Sequence, residues 1–175
     1  DSKIVQTLVN FAHAGTESSR HDPEPVDVFG CAAEAIHLLE LNKEARPIRF
    51  SNQCTEQLFI LGDTQRLLQV LVNLLSNARD ASPADSLVTI TTKHHNTEVL
   101  ISVTDEGSGI SKEHLEQIFD PFFTTKEAGD GTGLGLSLVY SIVEDLGGYI
   151  SVDSPVDAIK GGTRFTVRLP YSAPD

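Results

Sequence analysis

The chain of 175 residues has no methionine, no tryptophan and only two cysteines, Cys31 and Cys54. Two thiols without metal-ligand spacing exclude a disulfide framework and a zinc cluster. A reducing, cytoplasmic setting is therefore expected. No stretch approaches the roughly 18 consecutive apolar residues that span a bilayer, and no secretory leader is visible. No direct membrane contact by this stretch is expected. Basic residues are also scarce. Thirteen Lys and Arg stand against 25 Asp and Glu, a formal charge of −12, which argues against nonspecific binding to nucleic acid or anionic lipid. Such a domain can still hold a polyphosphate, through a bound cation and locally aimed donors. A start at Asp1 and the lack of Met suggest a piece of a longer protein, whose missing part has room for an inner-membrane anchor.

What is present is enough for a core. At 39% hydrophobic and 22% charged, the composition is that of a soluble globular domain, long enough to need no covalent staple. Residues 3–14 have the apolar spacing of an amphipathic helix end (Ile4, Val5, Leu8, Val9, Phe11, Ala12), and Gly15 to Pro25 read as a linker. A strand at Val26–Phe29 and a helix over about 31–45 follow, then short strands at 49–52 and 58–61. Asp63 is placed to cap a long helix that stops before Pro83. Two alternating strands, 87–93 and 99–104, flank a turn at 95–97. A short helix is expected over 111–118 and a longer one over 134–146, ending at Gly147-Gly148. Strands at 149–152 and 163–169 complete the set. Strands and helices mix without strict alternation, which predicts an α+β two-layer sandwich.

Three segments carry chemistry. On the long helix, Leu67, Leu68, Val70, Leu71, Leu74, Leu75 and Ala78 cover one broad side, with Arg66, Gln69, Asn73, Asn77 and Asp80 on a ridge opposite. Asn73 and Asn77 are four residues apart, so both amides point the same way. Amide oxygens are neutral hard ligands suited to Mg²⁺, although an ordinary solvent face gives the same pattern. Asp105-Glu106-Gly107-Ser108-Gly109-Ile110 closes a strand with a carboxylate that can accept a hydrogen bond from an adenine amino group. Its glycines let backbone approach a flat base; a plain strand-closing turn is the alternative. Gly129-Asp130-Gly131-Thr132-Gly133-Leu134-Gly135-Leu136 runs into a helix, where free N–H groups and the helix dipole make a phosphate cradle. It lacks the Lys of a Walker loop and does not leave a strand as a dinucleotide fingerprint does. Between these turns, Phe119-Asp120-Pro121-Phe122-Phe123-Thr124-Thr125-Lys126 suggests a lid with a cation, or simply core phenylalanines and a surface lysine.

In this order and spacing the segments resemble the four signature boxes of sensor histidine kinase catalytic domains: Asn73–Ala78, Asp105-x-Gly107-x-Gly109, Phe119–Lys126 and Gly131–Leu136. The match covers about residues 26–170. The resemblance implies the fold shared with gyrase and heat-shock chaperone ATPases: a mixed, mainly antiparallel sheet with helices on one face, and ATP beneath a lid. It implies that Asn77 ligates Mg²⁺ and that Asn73 supports the metal or phosphates. Asp105 would bind the adenine amino group, with Gly107 and Gly109 giving the base room. The amides around Gly133 and Gly135 would hold phosphates, and Thr163 would bind the adenine region through water. Further nucleotide contacts are implied for Asp80, Ala81, Ile110, Phe122, Thr132, Leu134 and Leu136. Residues 1–20 resemble the end of a dimerisation helix and the start of its linker, and 21–175 the ATP-binding domain. The implied partners are the dimerisation and phospho-acceptor domain of the same kinase, homodimeric in the full protein, and a response regulator.

Two departures qualify the match. Family members often carry Lys three residues after the second Asn and Arg after the paired aromatics; this chain has Asp80 and Thr124. It is similar instead to the nitrogen-regulation and dicarboxylate-sensor subset, so Lys126, helped by Arg79, is the expected phosphate-facing cation. Asn73 stands where clamp ATPases place a water-activating glutamate, and an amide cannot act as a general base. That favours phosphoryl transfer over hydrolysis. A clamp-type ATPase, a protein-serine kinase and a nucleotide-sensing module remain the alternatives. None of His13, His21, His37, His94, His95 or His114 lies in a phospho-acceptor sequence.

Overall fold

The computed structural model describes residues 22–121, 123 and 135–173. The expectations for residues 1–20, and for Phe122, Lys126, Thr132, Gly133 and Leu134, lie outside the described residues. Among the described residues there are seven strands: β1 (Glu24–Asp27), β2 (Arg49–Gln53), β3 (Phe59–Gly62), β4 (Leu87–His95), β5 (Glu98–Asp105), β6 (Tyr149–Asp153) and β7 (Thr163–Ser172). The helices are α1 (Val28–Glu40), α2 (Thr64–Ala81), α3 (Lys112–Leu115) and α4 (Gly135–Asp145). The strands form one sheet in the order β1-β3-β7-β5-β4-β2, with β6 also paired to β7. Only β2 and β4 run parallel; β4–β5, β5–β7 and β6–β7 are antiparallel. This is the mixed, mainly antiparallel sheet of the expected α+β class.

Alternation along β5 shows which face the helices cover. Val99, Ile101, Val103 and Asp105 are buried, while Leu100, Ser102 and Thr104 are half-buried. Successive strand side chains point to opposite faces, so the first set meets the helix layer. There α2 packs between α1 and α4 and over β5. Leu67, Val70, Leu71, Leu74 and Leu75 are wholly buried.

Element boundaries follow local chemistry. The Asp63 carboxylate accepts hydrogen bonds from the N–H groups of Gln65 (2.9 Å) and Arg66 (3.1 Å), capping α2 as expected. The first strand lies two residues earlier than the apolar run Val26–Phe29 suggests, because Val28 and Phe29 already open α1. That helix ends at Glu40, not near Ala45, and the expected helix at 111–118 narrows to Lys112–Leu115. No helix among the described residues is long and apolar enough to cross a membrane.

Candidate nucleotide site

The site is built around the inner end of β5. The alternation that buries Val99, Ile101 and Val103 carries Asp105 to the same face, where it is 5% exposed. Directly across on β7 is Thr163, also buried. The Asp105 carboxylate accepts the N–H of Gly107 at 2.8 Å and that of Thr163 at 3.2 Å, both on Oδ1. Burial pushes this carboxyl above its ordinary 3.8, and the two amide hydrogen bonds pull the other way without cancelling it. A carboxylate held here at a desolvation cost, with one oxygen already used, is suited to receive an N–H donor from outside the chain.

The fold itself requires both glycines, beside any room they give a base. A Cβ on Gly107 would overlap the carbonyl oxygen of Ala81, so the first glycine lets the turn pack against the end of α2. Gly109 has φ +88°, a backbone region closed to most side chains. Protein packing and backbone conformation thus account for both positions before any base is considered. The turn is also bolted to the loop before β7: the Gly162 N–H donates to the Gly107 carbonyl at 2.8 Å. Ser154, just past β6, accepts the Ile110 N–H at 2.6 Å and lies 3.1 Å from the Thr163 hydroxyl. Sequence reasoning missed Ser154, since Asp153-Ser154-Pro155 reads locally as an ordinary turn. It also passed over Glu106, whose side chain accepts the Leu87 N–H at 2.6 Å and ties this turn to the start of β4.

The polar ridge of α2 departs from the simple helical wheel. Gln69 and Asn73 on the ridge are buried, as are Ser76 and Arg79 beyond it, so the second half of the helix is enclosed on almost every side. Asn73 is 7% exposed, and its Nδ2 is buried with no hydrogen-bond partner among the described residues. Asn77 is half-buried, one turn before the Ala81 carbonyl that Gly107 packs against. Asp80 and Ala81 are exposed at the helix end. The expected help from Arg79 toward phosphate is not what the structure shows. Arg79 is 3% exposed and donates to the Leu39 carbonyl at 3.2 Å, where it satisfies the end of α1.

Ile110 and Leu136 are half-buried against the core, and Gly135 is the first residue of α4. Asp105, Gly107, Gly109, Ile110 and Thr163 therefore form one connected cluster that abuts the end of α2 beyond Asn73 and Asn77. An open groove of about 230 Å³ lined by Asp27, Cys31, Glu34 and Thr64 lies at the opposite end of α2 and shares none of these residues. Among the described residues no group of three or more His, Cys, Asp or Glu could hold a metal. A Mg²⁺ that keeps its waters and phosphate oxygens needs few protein ligands, and the amide oxygens of Asn73 and Asn77 are of that kind, whereas the unpartnered Asn73 Nδ2 is a donor suited to a phosphate oxygen.

Residues 62–173 match the family model described as histidine kinase-, DNA gyrase B- and HSP90-like ATPase. The chain belongs to this family, and within it to the catalytic domains of sensor histidine kinases. It is 43% identical over 185 residues to the sensor kinase CckA of Brucella abortus (strain 2308), covering 97% of this chain and 19% of that protein. It is 40% identical over 153 residues to the sensor histidine kinase ZraS of Salmonella typhi, covering 86% of this chain and 32% of that protein. The chain thus spans a third or less of these curated relatives. Among solved structures, the catalytic domain of histidine kinase ThkA superposes with a TM-score of 0.74 at 34% identity, covering 86% of this chain and 96% of that one. ThkA in complex with the response regulator protein TrrA gives a TM-score of 0.71 at 30% identity, over 95% and 47% of the two chains. Full-length ShkA in complex with AMPPNP gives a TM-score of 0.75 at 25% identity, over 97% and 37%.

Proposed function

We propose that this domain binds Mg-ATP and donates the γ-phosphoryl group to a histidine on the dimerisation domain of its parent sensor kinase. The observation that carries the reading is the buried Asp105 carboxylate, cross-linked by backbone amides to two glycine turns beside a helix end that bears Asn73 and Asn77. In it Asp105 accepts the adenine 6-amino group and Thr163 faces the same edge of the base. Asn77 and Asn73 hold the metal and the phosphates next to it, and Mg²⁺ supplies the charge neutralisation that a domain of net charge −12 cannot. The amides of the turn before α4 cradle the phosphates, with Lys126 as the cation facing them. Asn73 carries no basic group, so water is not activated and the phosphoryl waits for an outside acceptor. The structure of ShkA with an ATP analogue supports nucleotide binding, and that of ThkA with TrrA supports a response regulator as the downstream partner.

His37, His94, His95 and His114 lie outside the Asp105 cluster, on α1, β4 and α3. None of the chain's six histidines lies in a phospho-acceptor sequence, so this domain alone is expected to acquire no phosphate from labelled ATP. Mixed with the separately prepared dimerisation domain of its parent kinase, it is expected to produce an acid-labile, alkali-stable phosphohistidine on that partner. Phosphohistidine on this domain alone, or steady ATP hydrolysis with no labelled partner, contradicts the reading.

A further inference from the structure

We propose that Ser154 is a positioning residue for the base: its hydroxyl sets Thr163 as a hydrogen-bond donor toward the N1 edge of adenine. The inference rests on the nucleotide reading above and extends it to a residue outside the four boxes. Ser154 is half-buried at the exit of β6, and three polar groups surround its single oxygen and proton. It accepts the Ile110 N–H at 2.6 Å, which places the end of the Gly107–Ile110 turn. Its proton has two destinations, the Gly162 carbonyl at 3.2 Å and the Thr163 hydroxyl at 3.1 Å. The Gly162 carbonyl already accepts the Val156 N–H at 3.2 Å.

The choice decides what Thr163 presents. If Ser154 donates to Gly162, the Thr163 proton turns back toward Ser154 and only lone pairs face outward. If Ser154 donates to Thr163, the Thr163 proton is free for the cleft. Thr163 is fixed beside Asp105 by strand register and by its own N–H on Oδ1. A base whose 6-amino group donates to Asp105 presents its N1 lone pair on the same edge, and that lone pair requires a donor. Adenine binding with N1 in direct contact with the Thr163 hydroxyl therefore selects the relay from Ser154 to Thr163 to N1. The second lone pair of the Gly162 carbonyl gives the Ser154 proton its resting place when no base is present.

The test compares ATP with 1-deaza-ATP, which keeps the 6-amino group and lacks the N1 acceptor, by calorimetric titration in Mg²⁺. Ser154→Ala is expected to weaken ATP about tenfold, the scale of one hydrogen bond, and to leave the weaker binding of 1-deaza-ATP unchanged. Thr163→Val, which removes the hydroxyl and keeps the shape, should give the same pattern, and the double variant should be no worse than either single one. If Ser154→Ala fails to fold, Ser154→Cys, which keeps the bulk and exchanges the hydroxyl for a weak donor, carries the comparison. Equal losses for both nucleotides would mean a merely structural role and overturn the proposal, as would no loss for either. Asp105→Asn run in parallel separates the two levels: unchanged ATP affinity there sinks the nucleotide site itself, whatever Ser154 does.

Discussion

Asp105 holds a charge that the fold accommodates at a cost. Its pKa is raised in the folded chain, so the native state binds this proton more tightly than the unfolded one does. The contribution is favourable below the ordinary 3.8 and is lost as pH rises through the folded value. Above its folded pKa the ionised group is therefore a local liability. Asn keeps an oxygen for the Gly107 and Thr163 amides without that charge. Asp105→Asn is expected to hold or raise the thermal midpoint while weakening ATP at least tenfold, read by calorimetry of unfolding and of binding. ATP affinity of the unaltered chain should also fall as acid protonates Asp105, at pH values above 3.8. Gly107 behaves in the opposite way: Gly107→Ala drives a Cβ into the Ala81 carbonyl and is expected to cost about 1–3 kcal/mol in urea unfolding.

At the scale of elements, α2 links fold and site. Its cap at Asp63, its stop before Pro83 and the placement of Asn73 and Asn77 were legible, because capping chemistry and helical periodicity act within a few residues. The fate of its polar side chains was not. A wheel separates polar from apolar positions but cannot tell water from the carbonyl end of a neighbouring helix, and Arg79 meets Leu39, forty residues away. Arg79→Met should accordingly lower unfolding free energy by about 2 kcal/mol, the loss of a buried charged hydrogen bond, with ATP affinity unchanged. A loss of ATP affinity with stability intact would restore the phosphate role. Asp105 could be read at a strand end because period-two alternation is local. Ser154 could not, since its meeting with Ile110 and Thr163 depends on the β6–β7 and β5–β7 registers, which no local pattern fixes.

Across the whole molecule, a charge of −12 repels a triphosphate, and affinity has to come from the metal and from donors grouped at one place. Binding of ATP should therefore fall at least tenfold when Mg²⁺ is removed with EDTA, and recover on its return. If Asp105 and the side-chain amides of α2 serve one cleft, amide-resolved NMR of the chain titrated with Mg-AMPPNP shows saturable shifts concentrated at Asn77, Ala81, Asp105, Gly107, Ile110, Gly135 and Thr163, much weakened by Asp105→Asn. Shifts confined to the groove around Cys31 and Thr64, or scattered without saturation, would contradict a shared cleft.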